Sequence, residues 1–250
     1  MSIQINWYDN AAFRVDTGNG ILWFDPSINK NADSPIKVDD VNETANFVFT
    51  THGDAGHFTN SVQMTQKTGA IFVGSEDLCD HILKHGQLSK DRMISMKFGE
   101  TRTIDGLEVY LFEAEHPELA SSPKHDEMRR KWGRLETRNG GFVVRGRHFS
   151  LCLLGDCVYS GIFQDVGRRF QIDIGMIPIQ SRNKTAPLEE AVESGAMIAR
   201  DLKVKILFPV IQYSAEKGLI EPLERKLKEM GMATRLVFDR PGMTHTLRKE

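Results

Sequence analysis

Long apolar runs are missing from this 250-residue chain. No stretch approaches the roughly 20 consecutive apolar residues that cross a bilayer as a helix, which excludes a helical membrane span. The opening Met1-Ser2-Ile3-Gln4-Ile5-Asn6-Trp7 has neither a basic n-region nor an apolar h-region, so a cytoplasmic location is expected. Cysteine is scarce: Cys79, Cys152 and Cys157 make an odd count without CxxC spacing, which argues against a disulfide framework or a zinc ribbon and fits free thiols in a reducing compartment. Charge of one sign is also lacking. With 32 lysines and arginines against 34 acidic residues, the balance gives no electrostatic footing on nucleic acid or an anionic membrane. Repeats, low-complexity segments and Pro/Ser-rich linkers are absent, so residues 1–250 are expected to form one domain. The 40% hydrophobic content is ample for a sizeable core.

The pattern that is present alternates. Strands are expected at Ile3 to Trp7, Ala12 to Asp16, Ile21 to Asp25 and Phe47 to Thr50, with Asn19-Gly20 as a hairpin signal. A helix at Ser61 to Lys67, a strand at Ala70 to Val73 and a helix at Glu76 to His85 follow, so parallel pairing is expected there. Further strands are expected at Thr101 to Ile104, Leu107 to Phe112, Gly141 to Arg145, Phe149 to Leu154, Ile172 to Ile179, Ile206 to Ile211 and Thr234 to Phe238, with helices at Leu188 to Leu202 and Pro222 to Met230. Pro117 to Arg138 is charged and irregular, either a lid or a solvated insertion.

Directly after the apolar Phe47-Val48-Phe49, the segment Thr50-Thr51-His52-Gly53-Asp54-Ala55-Gly56-His57 places three potential metal ligands within six residues. A strand end fixes the backbone, and the small Ala55-Gly56 lets the chain fold back toward an ion. Two more ionisable residues come just after apolar strands: His116, and Asp156 in Leu154-Gly155-Asp156-Cys157. Taken singly, each has a simpler role as a turn or a satisfied polar group; the set is harder to explain that way. Cys157 is open to two readings, a small packed residue or a thiolate ligand. His81 and His85 have chelate spacing on a charged helix face and read as solvated. His125 falls in the charged loop and His148 in a tight turn, while His245 lies near a C-terminus expected to be loose.

Several motifs in order resemble one family. Ile5-Asn6-Trp7-Tyr8-Asp9-Asn10-Ala11-Ala12-Phe13-Arg14-Val15, Ile21-Leu22-Trp23-Phe24-Asp25-Pro26, Thr51 to His57, His116, Leu154-Gly155-Asp156, Ile174 to Pro178, Ala191 to Leu202 and Leu207-Phe208-Pro209-Val210 are similar to the metallo-β-lactamase superfamily, in the branch of L-ascorbate-6-phosphate lactonase-like hydrolases. The resemblance implies an αββα sandwich of two mixed β-sheets flanked by helices, with a metal site at one edge. It implies a first metal site of His52, Asp54 and His116, and a second using His57 and Asp156, with Asp156 able to bridge. The chain departs from the family's His-x-His-x-Asp-His loop: Asp54 stands for the second His and Gly56 for the Asp. Asp9-Asn10 replaces the usual Gly-His, and Gln212 the final His.

A carboxylate at residue 54 shifts preference from zinc toward manganese or iron, while the set stays acceptable to zinc. One ion held by a subset of His52, Asp54, His57, His116 and Asp156 is the favoured arrangement, with two ions the alternative. Metal-activated water would attack a lactone, amide or phosphoester of a small polar metabolite, with Asp156 as ligand and Asp54 as the better base. The rival readings are a degenerate binding or accessory protein of the same fold, supported by Gly56 and Gln212, and a non-haem iron oxidoreductase. A small-molecule partner is expected; oligomeric state is not legible.

Overall fold

Residues 2–29, 31–117, 137–183 and 186–248 are described by the structure, a computed structural model. The expected sandwich is what the chain forms. The first sheet comprises β1 (Ser2–Trp7), β2 (Phe13–Asp16), β3 (Ile21–Phe24), β4 (Phe47–Phe49), β5 (Ile71–Ser75), β6 (Met93–Met96) and β14 (Thr244–Arg248), in the order β14-β1-β2-β3-β4-β5-β6. The second comprises β7 (Thr101–Ile104), β8 (Leu107–Glu113), β9 (Gly140–Arg145), β10 (Ser150–Leu154), β11 (Ile174–Pro178), β12 (Ile206–Val210) and β13 (Arg235–Leu236), ordered β13-β12-β11-β10-β9-β8-β7. Each sheet is half antiparallel and half parallel. Pairing from β14 to β3 and from β7 to β10 is antiparallel, whereas β3 to β6 and β10 to β13 run parallel.

Local chemistry explains the connections. Asp105 and Gly106 both take positive φ, 47° and 77°, the conformation a two-residue hairpin between β7 and β8 requires. The parallel strands need crossovers, and helices supply them: α1 (Ala55–Phe58) and α2 (Ser61–Thr68) after β4, α3 (Glu76–Lys84) after β5, α4 (Ile162–Arg169) after β10, α5 (Leu188–Leu202) after β11, and α6 (Tyr213–Glu216) and α7 (Ile220–Glu229) after β12. Helices on both outer faces explain why these strands are continuous apolar runs rather than alternating ones. Along β3 and β4, Leu22, Phe24, Phe47 and Phe49 enter the core between the sheets, while Trp23 and Val48 enter the cluster beneath α1 to α3. Phe49 meets Phe142 across the sheets at 5.4 Å between ring centres, and Phe13 meets Phe208 at 6.1 Å.

Some elements differ from expectation. The C-terminus is not loose: β14 pairs with β1 from Ser2↔Arg248 to Asn6↔Thr244, and Asn6 Nδ2 donates to Thr244 Oγ1 at 2.7 Å. Its polar alternation, Thr-His-Thr-Leu, hid a strand whose outer face is solvated. β6 and α4 were also not anticipated, the first a short half-buried edge and the second a mostly polar helix anchored by Phe163 and Val166. Most of the segment read as a lid or solvated insertion, residues 118–136, lies outside the described residues, and His125 lies in it. No helix among the described residues is long and apolar enough to cross a membrane.

Candidate metal centre

The ends of β3, β4, β8, β10 and β11 converge at one edge of the sandwich, the position where open α/β sheets collect ligands. His52 leaves the end of β4. The next residues form the single turn α1, whose backbone starts at Asp54: its carbonyl accepts from His57 N at 2.9 Å and Phe58 N at 2.8 Å. That turn carries His57 back over His52, with ring centres 4.3 Å apart. His116, after β8, stands 5.1 Å from the His52 ring centre. One ligand atom each from His52, Asp54, His116 and Asp156 lies within 4.8 Å of the others. Asp54 Oδ2 is 3.8 Å from His52 Nε2 and 3.5 Å from His116 Nε2. His57 stands just behind this group, its Nε2 3.2 Å from Asp156 Oδ1.

Donor and acceptor roles fix the imidazole tautomers. A carboxylate only accepts, so the Thr51 hydroxyl, 2.7 Å from Asp25 Oδ2, gives it its proton. Thr51 Oγ1 is then left to accept from His52 Nδ1 at 3.1 Å. His57 Nδ1 donates to the same Asp25 Oδ2 at 2.7 Å, and His116 Nδ1 to the Pro117 carbonyl at 2.8 Å. All three rings therefore turn Nε2 inward toward carboxylates: His57 Nε2 lies 3.2 Å from Asp156 Oδ1, His116 Nε2 3.5 Å and His52 Nε2 3.8 Å from Asp54 Oδ2, and among the described residues none of the three has a well-aligned hydrogen bond. Buried ring nitrogens satisfied this loosely favour something that bonds them more fully. Outward Nδ1–H donation with inward Nε2 is how ligand histidines are held, so the residues fit a divalent cation.

Electrostatics distinguishes the three rings: it favours the neutral form at His52 and, without an ion, the protonated form at His57 and His116 beside their carboxylates. Burial pushes His52 below the ordinary imidazole range, and the His57 charge adds to that, leaving it neutral as a ligand must be. Burial also works against charge on His57, but the Asp156 and Asp25 carboxylates outweigh it and hold this ring well above its ordinary value. Burial would raise the Asp156 carboxyl; the His57 charge and hydrogen bond, His52, and the Gln180 amide more than reverse it. At His116, burial is likewise outweighed, chiefly by the hydrogen bond to Asp54.

Two supporting residues were not assigned roles from sequence. Asp25 is fully buried, takes φ 41°, and accepts from Thr51 N at 2.8 Å in addition to the Thr51 hydroxyl and His57. Its only signal was its place after an apolar strand, before Pro26. Gly155 is needed for close approach: a Cβ there would collide with Asn139 Oδ1 and stand 2.8 Å from Thr51 Oγ1 and 3.0 Å from His52 Nδ1.

The departures from the family loop also have places. A side chain at Gly56 would press on Asn10 Nδ2 at 2.9 Å, and that amide donates to the Gly56 carbonyl at 3.4 Å. The two substitutions thus fit one another. Gln212 is exposed at the start of α6, its backbone N–H donating to Glu216 Oε2 at 2.8 Å. Asp9 is buried and accepts from Tyr213 N at 2.7 Å. Cys157 is fully buried and belongs to no ligand cluster among the described residues, which favours packing over ligation. His245 is in β14, its ring against Phe208 at 5.5 Å, away from the cluster. His81 on α3 and His85 at its C-terminal end lie with ring centres 4.4 Å apart and tilted, also apart from it.

A mixed two-sheet sandwich with His and Asp ligands gathered at the strand ends defines the metallo-β-lactamase fold class. Residues 4–210 match the family described as the beta-lactamase superfamily domain, and the chain belongs to that family. It is 27% identical over 230 residues to a UPF0173 metal-dependent hydrolase of Pyrobaculum arsenaticum, covering 89% of this chain and 94% of that one. A UPF0173 metal-dependent hydrolase of Methanopyrus kandleri is 26% identical over 249 residues, covering 97% and 99%. Igni18, a metallo hydrolase of the archaeon Ignicoccus hospitalis, has a similar fold with a TM-score of 0.79 at 18% identity, over 100% of both chains. The relatives of this chain are thus named metal-dependent hydrolases, and they do not single out the lactonase-like branch.

Proposed function

We propose that the protein hydrolyses a small polar metabolite, a lactone, amide or phosphoester, at a single divalent ion of zinc, manganese or iron. His52, His116 and Asp156 would hold the ion, with His57 behind them as a further candidate ligand, and Asp54, within the same cluster, would serve as base. The observation that carries this reading is the convergence of His52 and His116 on the Asp54 and Asp156 carboxylates, with His57 Nε2 against Asp156 behind them. A bound ion supplies Lewis acidity and lowers the pKa of water toward neutrality.

The remaining work falls to the chain's own groups. Asp25 and Thr51 keep the His52 and His57 tautomers. Of the two site carboxylates, Asp54 is the more accessible, its side chain 31% exposed against 14% for Asp156. It suits the role of accepting a proton at Oδ2 from attacking water and returning it to the leaving group. The near-neutral charge supports a small-molecule substrate rather than nucleic acid or membrane. The free buried thiols support a reducing, cytoplasmic setting.

The test is a hydrolysis screen of metal-reconstituted protein against lactone, amide and phosphoester panels, with Asp54→Asn beside the wild type. The variant should keep its metal and lose at least about 100-fold in rate. Undiminished hydrolysis at full metal content would remove Asp54 from the role of base.

A further inference from the structure

Gln180 follows β11, two residues beyond its last residue, Pro178, and enters the site from the second sheet. Its Nε2 donates to Asp156 Oδ1 at 2.6 Å, the same oxygen that His57 Nε2 approaches at 3.2 Å. The amide has one workable orientation, because flipping it would set a carbonyl oxygen against a carboxylate oxygen. In that orientation Oε1 is buried and has no hydrogen-bond partner among the described residues. The amide therefore spends its one side-chain hydrogen bond among the described residues on Asp156.

Asp156 is thus held at both its side chain and its backbone. Gln180 takes Oδ1 from the β11 end, while the Asp156 backbone carbonyl accepts Asn139 Nδ2 at 2.7 Å. We propose that Gln180 is a positioning residue of the metal centre, setting the rotamer of Asp156 and so the direction in which its carboxylate meets the ion. The proposal rests on the metal reading above. It follows from the general behaviour of ligand carboxylates, which are themselves hydrogen-bonded and whose outer partners change metal affinity by 10- to 100-fold when removed.

Cobalt(II) titration of metal-free protein tests it, with visible spectra of the loaded site and the melting temperature of each metal-free variant. Gln180→Met keeps the size and removes both amide ends, and Gln180→Leu is a second variant against a folding failure. The expected result is about tenfold weaker cobalt binding and a changed visible spectrum, at an unchanged metal-free melting temperature. In an Asp156→Asn background the same substitution should have no further effect, since its action runs through that carboxylate. Wild-type affinity and spectrum in Gln180→Met, or an effect that simply adds to Asp156→Asn, would overturn the role of Gln180 while leaving the metal reading intact. If wild type and His52→Ala bind cobalt equally poorly, the metal reading itself fails and this inference with it.

Discussion

Asp25→Asn reaches the centre without touching any of its ligands. Thr51 N–H donates to Asp25 Oδ1 at 2.8 Å, so the carbonyl of the substituted amide must stay on that side and its NH2 must take the place of Oδ2. That NH2 then faces Thr51 Oγ1 and His57 Nδ1, each 2.7 Å from Oδ2 in the wild type. Both must become acceptors. His57 moves its proton to Nε2, and the Thr51 hydroxyl turns to His52 Nδ1, which pushes the His52 proton to Nε2 as well. His52 and His57 would then both be fixed with Nε2–H, not a lone pair, turned toward the ion position through one isosteric change. With about tenfold for each outer-sphere loss, metal affinity should fall roughly 100-fold, or about 2.7 kcal/mol. Three charge-assisted hydrogen bonds become neutral ones, costing about 3 kcal/mol of stability and about 6–12 °C in melting temperature for a chain of this size. Metal titration and imidazole 1H–15N correlation spectra read both effects. Affinity within threefold of wild type, with Nδ1–H retained on His52 and His57, would refute the tautomer argument.

Three further outcomes are expected. Gly155→Ala should cost about 1–3 kcal/mol by overpacking and weaken metal binding, because the added Cβ meets Asn139, Thr51 and His52; denaturant unfolding and metal titration check this. The buried thiols should resist a disulfide reagent at pH 8 in the native protein and react in denaturant, since burial holds Cys79 up at about 12 and the other two well above their ordinary value. Asp201 accepts from Tyr159 Oη at 2.7 Å and Arg200 Nε at 2.8 Å; burial would raise its carboxyl, but these partners hold it below the ordinary value. Its contribution is therefore complete above about pH 4 and lost as pH falls through the lower folded value. The stability gap between wild type and Asp201→Asn should close below pH 4 in unfolding curves taken across pH.

The fold was legible where period and burial coincide. Continuous apolar runs such as Phe47–Phe49 and Ile174–Pro178 are buried on both faces and could be little else, and the α5 stripe from Leu188 to Leu202 has helical spacing. β14 was not legible, because an edge strand with a wet face needs only Leu247 inside. The candidate ligands were readable for a related reason: His52, Asp54 and His57 crowd the loop after the apolar Phe47–Phe49, and His116 and Asp156 come after apolar strands where an apolar residue would be simpler. Their support was not. Asp25 and Thr51 act through tautomers set across two loops, and Gln180 acts through a residue 24 positions away. Such relations exist only once the strand ends have been brought together. The fit of Asn10 against Gly56 is of the same kind, two departures 46 positions apart that make sense only in contact.

The central claim is that these residues form one functioning metal site. Metal analysis of protein purified without added metal, then after reconstitution and removal of excess ion, measures it directly, with His52→Ala and Asp156→Ala alongside. About one equivalent per wild-type chain and well under one in either variant is the predicted result. Substoichiometric metal that does not rise on reconstitution would contradict the claim and favour a degenerate binding protein. Two equivalents would contradict the single-ion arrangement.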